Sequence, residues 1–313
     1  MAAHYWRLLL FCEIGCATAM AALLRLTLDV SLIATALAAF AALLLLPAAL
    51  VGVSLIAGRI VGPDSDFPSA FMEGLRAWAC ESVALTRAMG AMSLEPWRRF
   101  VYDARPGGAS QTLSPVLLIH GVVCNRGVWR PLAGALWSHG FGPIRGVNLE
   151  PPLADIESHV AHVVSELRQL RRDSGGARVA IVAHSMGGLV ARAVLRLAGA
   201  DDIGQVITLG SPHHGAWLAR LLPGPPNRQM QPDSEWLAAL NAAQEGHFPV
   251  PVACIYSVND NLVTPARSAV LAGAQQIELR GLGHLSLLSA RPAIDCTLAA
   301  LTSLRAGREP CLS

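Results

Sequence analysis

The chain has 313 residues, 53% of them hydrophobic and only 15% charged, against a usual charged share of about 25%, so it is far too apolar to be a disordered polymer. All 24 basic residues are arginine, which excludes chemistry that needs a lysine amine, such as Schiff bases, Walker-type phosphate loops and Ser–Lys dyads. A net charge of +2 with acids and bases interspersed leaves no footprint for nucleic acid.

The first 58 residues carry only Arg7, Glu13, Arg25 and Asp29 as charged side chains, and none lies between Val30 and Gly58. A run of that length exceeds the ~20 residues needed to cross a bilayer core and predicts a transmembrane helix in spite of Pro47. Leu8–Leu24 is a weaker second span, so residues 1–62 are expected to form a transmembrane helical hairpin turning at Arg25–Asp29. Two other readings of the first stretch stay open, both weakened by Glu13. One is a signal peptide with an Ala-x-Ala site at Ala17–Ala19, the other a lipoprotein site at Ile14-Gly15-Cys16. Arg7 and Arg59 flank one side of the hairpin and Arg25 the other, a distribution that favours a cytoplasmic catalytic unit only slightly.

Residues 63–98 read as an amphipathic helical linker. Phe71, Leu75, Trp78, Ser82, Leu85 and Met89 recur at spacings of three and four within Phe67–Met92, after Pro63 and Pro68. That face can lie on a membrane surface or pack on the next domain.

From about Phe100 short apolar runs alternate with helical patterns, the signature of a mainly parallel sheet with helices on both faces, here spanning residues 99–313. Strands are expected at Val116–Ile119, Ile144–Leu149, Val179–Ala183, Val206–Leu209, Pro251–Val258 and Gln276–Leu279. Helices are expected at Val128–Ser138, Ile156–Arg172, Gly187–Leu197 and Ala293–Leu304. The seven cysteines (Cys12, Cys16, Cys80, Cys124, Cys254, Cys296 and Cys311) show no CxxC or paired spacing and read as buried free thiols.

The chemistry concentrates at Val179-Ala-Ile-Val-Ala-His-Ser185-Met-Gly-Gly188, where a buried strand runs into a serine, small residues and a helix. This is a nucleophile elbow with Ala183 in place of its usual first glycine. A serine hydroxyl needs an adjacent base that is itself oriented by an acid. His284, flanked by Gly281 and Gly283, and Asp260, at the end of an apolar strand, supply these in the order Ser185, Asp260, His284. Asp201, Asp202 and Asp233 also follow Ser185, but the first two are expected to flank a surface turn. The strand ending in His120-Gly121-Val122 places a backbone donor there, so the N–H groups of Val122 and Met186 are the expected oxyanion hole. His184 reads as packing beneath the elbow, His213 and His214 as stabilising a loop rather than binding metal, and Cys124 as outcompeted by Ser185.

With His120-Gly121, Asn125 and Trp129, Ala183-His-Ser-Met-Gly-Gly188, Leu209-Gly-Ser-Pro-His-His-Gly215 and Met230–Asn241, the segment 113–304 resembles the α/β-hydrolase superfamily, in particular bacterial triacylglycerol lipases and esterases. The same motifs occur in the branch similar to GPI-inositol deacylases. The resemblance implies an α/β-hydrolase fold behind the hairpin and a cap at about 212–245, with Trp217, Leu218, Leu221 and Leu222 touching acyl chains. It also implies cleavage of lipid-like carboxylic esters through an acyl-enzyme, without cofactor or metal. The hairpin lies outside the resemblance, and its apolar runs predict anchorage in a membrane, expected to be a bacterial inner membrane. Partners are then an acyl-ester or lipid substrate and the bilayer, with no protein partner indicated. A thioesterase, amidase or acyltransferase using the same triad, or a non-catalytic binding protein, remain the alternatives.

Overall fold

The computed structural model describes residues 2–62, 70–95, 113–244 and 246–306. Phe67, Pro63, Pro68, Phe100, Cys311 and the boundary expected at 98/99 lie outside the described residues.

Three helices open the chain: α1 (Ala2–Leu28), α2 (Leu32–Val61) and α3 (Phe71–Ser93). Ser31 starts α2, its hydroxyl accepting the Ala34 N–H at 3.2 Å, and the helix continues through Pro47. Both α1 and α2 are long and apolar enough to cross a membrane. Their large side chains face outward, with Phe11 69%, Leu26 84% and Ile33 74% exposed. A core helix of a soluble protein buries such side chains.

The rest is a six-stranded sheet in the order β2-β1-β3-β4-β5-β6, every neighbouring pair parallel. The strands are β1 (Val116–Ile119), β2 (Ile144–Val147), β3 (Val179–His184), β4 (Ile203–Leu209), β5 (Val252–Ser257) and β6 (Gln275–Leu279). β1 and β3 are buried throughout, as continuous apolar runs require when both faces are covered. Between them run α4 (Arg130–Ser138), α5 (Ile156–Asp173), α6 (Met186–Ala198), α7 (Pro225–Gln229) and α8 (Glu235–Ala242), and α9 (Arg291–Ala306) follows β6. α5 begins where Asp155 accepts the Glu157 N–H at 2.9 Å and ends in Arg171 and Arg172, matching charge to the helix dipole.

One apolar layer joins the sheet to α5, α6 and α8 through residues such as Leu117, Val163, Leu189 and Leu237. The opposite layer gathers Leu118, Leu132, Leu136 and Leu301. Ala88 and Met92 of α3 belong to that second layer, with Trp6 of α1 packed against it, so the opening helices share the core of the sheet.

Three expectations change here. The buried face of α3 is not the large apolar stripe but Ala77, Glu81, Ala84, Ala88 and Met92. Phe71 and Leu75 point outward, because small side chains let the helix approach the sheet layer closely. Of the cysteines, Cys124 and Cys254 are buried, whereas Cys12 and Cys16 are exposed on α1. Asp201 and Asp202 do lie in a turn, but Asp202 is buried there and receives Arg168 at 3.1 Å and Arg171 at 2.9 Å from α5.

Candidate active site

In a parallel sheet of this order the winding of successive strands reverses between β1 and β3, and ligand sites form beyond the carboxyl ends of the strands at such a point. Ser185 lies there, directly between β3 and α6. Its backbone is left-handed, φ 55° and ψ −129°, a conformation that strains any residue with a Cβ. The turn is tight enough that a Cβ on Gly187 would meet the carbonyl oxygens of Ile119 and His120 at 2.3 and 2.6 Å. That is the physical reason for small residues after the serine.

His284 follows β6 and Asp260 follows β5. The imidazole Nδ1 lies 2.8 Å from Oδ2 of Asp260 and 3.1 Å from its Oδ1. Oδ1 also accepts the N–H groups of Leu262 and Val263 at 2.8 and 2.9 Å, which locks the carboxylate plane. Burial works to lower the pKa of His284, but the charge and hydrogen bond of Asp260, helped by Glu81, leave it above the ordinary histidine value. The adjacent Asn261 extends the brace, its Oδ1 accepting the His284 N–H at 2.9 Å.

His184 is buried beneath this pair with its ring centroid 4.5 Å from that of His284. Its Nε2 lies 3.1 Å from the His284 carbonyl oxygen. Burial, and then the neighbouring His284, hold its pKa well below the usual value, so the ring is neutral and Nε2 donates. His120 plays a similar supporting part on the other side. Burial lowers its pKa to about 4, its Nε2 accepts the Leu149 N–H at 3.1 Å, and Nδ1–H therefore donates to the Gly121 carbonyl at 2.8 Å. That bond orients the loop carrying Val122, where Val123 takes a left-handed φ of 59°.

Ser185 and His284 open onto a cavity of about 330 Å³ whose wall also includes Gly121, Val122 and Cys124, near the lower end of the range for small-molecule sites. Ser185 is 8% exposed. Met186 begins α6, so its N–H has no acceptor within the helix. Burial pushes the Cys124 thiol up to about 12, leaving it protonated and a poor nucleophile. Leu218 and Leu222 line the cavity. Trp217 and Leu221, expected beside them, do not. The Trp217 ring carries the Arg220 guanidinium at 4.1 Å and Leu221 turns to the outside, because both belong to a short 3-10 turn (Trp217–Leu221) that shows the cavity only part of its circumference.

Asp233 pairs with Arg220 and Asp202 with α5, so Asp260 is the acid that meets His284. His213 is fully buried, its Nε2 3.1 Å from Thr208 Oγ1, and its carbonyl accepts from Asn241 at 3.0 Å. Among the described residues no group of three or more His, Cys, Asp or Glu could hold a metal ion.

Sequence reasoning missed the contribution of the opening helices. Trp6 and Leu9 of α1 and Leu85 of α3 form part of the same cavity wall. The Trp6 indole donates to the Val123 carbonyl at 2.7 Å, Ser54 of α2 accepts from Asn261 at 2.8 Å, and Glu81 of α3 binds the backbone just after His284. One signal was available: Glu81 is a lone acid in the small-residue stripe of Ala77, Ala84 and Ala88.

Among solved structures, lipase B of Aspergillus fumigatus superposes with a TM-score of 0.59 at 16% identity, covering 91% of this chain and 85% of its own. The mature lipase BlEst2 of Bacillus licheniformis gives 0.57 at 18% identity, covering 64% of this chain and 97% of that one. The fold is that of the α/β-hydrolases. By sequence, the PGAP1-like alpha/beta domain family matches residues 152–220, a stretch that holds α5, the elbow and β4. No curated protein matches the chain.

Proposed function

We propose that this α/β-hydrolase is a membrane-anchored serine hydrolase that cleaves carboxylic esters of lipid-like substrates. The observation that carries the reading is the shared cavity. A strained serine at the elbow and an imidazole bonded to a buried carboxylate face one apolar space, and part of its wall comes from a helix long and apolar enough to cross a bilayer.

In this mechanism Ser185 Oγ attacks the ester carbonyl while His284 Nε2 takes its proton. Asp260 holds the ring by Nδ1–H and stabilises the imidazolium. The amides of Val122 and Met186 receive the oxyanion, a donor of this kind contributing about 3 kcal/mol to the transition state. His284 then protonates the leaving alcohol, and water activated by the same ring releases the acid. The hairpin of α1 and α2 holds the mouth of the cavity at the bilayer surface, and Leu218, Leu222, Leu9 and Leu85 receive a single acyl chain.

The test is fluorophosphonate labelling of detergent-solubilised wild type beside Ser185→Ala, with p-nitrophenyl esters of rising chain length assayed in parallel. The reading expects labelling and turnover to disappear together in the variant, with preference for acyl chains over acetate. Folded wild type that neither labels nor turns over would overturn it.

A further inference from the structure

Glu81 stands 204 residues before Leu285, yet its carboxylate accepts the Leu285 N–H at 2.8 Å and the Ser286 N–H at 2.8 Å. These are the two amides that follow His284 and open a 3-10 turn (Leu285–Leu288). The side chain is 2% exposed, and among the described residues no arginine forms an ion pair with it. The approach is so close that a Cβ on Gly283 would meet Glu81 Oε2 at 2.6 Å. A buried carboxylate is costly to desolvate, and a neutral side chain would suffice to satisfy one N–H. What a carboxylate adds is two acceptors in one plane and a negative charge beside the imidazole.

We propose that Glu81 is a positioning residue for His284, so that α3 belongs to the catalytic apparatus and is more than a link between hairpin and sheet. The proposal rests on the reading of His284 as the base for Ser185. Three helices brace three loops in the same sense. Trp6 of α1 holds the loop of Val122, Ser54 of α2 holds Asn261 beside Asp260, and Glu81 of α3 holds the loop of His284. Of these braces only Glu81 brings a charge. The groups around the imidazole are Asp260 from the loop after β5, Glu81 from α3 and His184 at the end of β3. Arg76 of α3 lies against Gly281 in the same loop. Burial raises the pKa of Glu81, against the two amide bonds and the nearby imidazole, but both of its oxygens accept an N–H, the geometry of a carboxylate. In that form it joins Asp260 in favouring the imidazolium, and Glu81→Gln removes the charge while leaving the shape nearly unchanged.

The experiment uses the full chain in detergent: wild type, Ser185→Ala, Glu81→Gln and Glu81→Asp. The readouts are fluorophosphonate labelling rate, kcat and KM across pH, and titration of His284 by NMR. A displaced base predicts a fall in kcat of about 100-fold for Glu81→Gln, with KM little changed and the acid limb of kcat/KM moved to lower pH. Glu81→Asp, which keeps the charge at shorter reach, recovers part of the rate. Wild-type kcat and acid limb in Glu81→Gln, or a change confined to KM, would overturn the proposal and leave Ser185 as nucleophile untouched. If wild type does not label while folded, the reading of the site falls instead, and the NMR titration decides for Glu81. A lower His284 pKa in Glu81→Gln supports the brace, and an unchanged one removes it. Should Glu81→Gln fail to fold, Glu81→Asp is judged on the same rate and titration criteria.

Discussion

The indole Nε1 of Trp6 donates to the carbonyl oxygen of Val123 at 2.7 Å, across 117 residues of chain. Val123 is β-branched and left-handed, a combination that persists only where its surroundings hold it. Trp6→Phe keeps an apolar ring but removes the donor and leaves a carbonyl short of a partner, a loss of about 1–3 kcal/mol. Because Val123 adjoins Val122, the expected result is a fall of about tenfold in kcat with esters of every chain length, read by steady-state kinetics in detergent. An equal kcat would show that the oxyanion loop holds itself.

Asn261 links α2 to His284, donating to Ser54 Oγ and accepting the His284 N–H. Ser54→Ala deletes one partly buried hydrogen bond and is expected to cost about 1 kcal/mol. Asn261→Ala deletes both and strands a buried amide, so it should lower both the melting temperature and the labelling rate more than Ser54→Ala does. The ordering of the two variants is the checkable outcome.

Leu85 of α3 lies on the cavity wall, as does Leu9 of α1. Enlarging either to tryptophan takes space from the acyl chain and leaves the reacting atoms alone. Leu85→Trp should therefore raise KM for long esters and shorten the preferred chain, with acetate turned over as before. A uniform loss at all lengths would instead indicate a disturbed base loop.

The proposed reaction needs a neutral imidazole. Since the His284 pKa lies above the ordinary value, kcat/KM should rise with pH through a limb above the usual histidine value of about 6.5. In Asp260→Asn the main cause of that elevation is gone and burial dominates, so whatever activity remains should show its acid limb at lower pH. A pH–rate profile of both forms settles the sign.

Cys124 shares the cavity, but burial pushes its thiol up to about 12. Iodoacetamide at pH 8 should leave activity intact, and Cys124→Ala should label with fluorophosphonate as wild type does. Rapid inactivation by the reagent, absent in that variant, would point to a thiolate at the site.

The sheet and its helices were legible wherever local pattern and tertiary demand agree. The strands at Val116–Ile119 and Val179–His184 are apolar runs that a doubly covered sheet requires, and the elbow follows from small residues at fixed offsets. β4 begins at Ile203, earlier than its apolar run indicates, because Gly204 and Gln205 interrupt the pattern. Gln205 is nevertheless buried, its amide spent on the Leu301 carbonyl at 3.0 Å. Of the residues expected at the site, Asp260 and His284 meet at hydrogen-bond distance, and Ser185 lines the same cavity as His284. The sequence reads the hairpin as an anchor and α3 as a linker that lies on a membrane or packs on the next domain, and neither reading reaches the site. The part of these helices in the site depends on pairs such as Glu81 and Leu285 that no local window contains, and on alanines whose packing role carries no hydrophobic signal.

Gly283 and Glu81 have one further consequence, for the order of biosynthesis. The three helices are synthesised first, and the loop that Glu81 embraces emerges only after all six strands. A nascent chain arrested before Ser286 therefore carries its apolar hairpin without a positioned base. On the proposed reading, delivery to a membrane and the onset of hydrolytic power are then separate events in time, and a half-made protein could sit among lipids without attacking them.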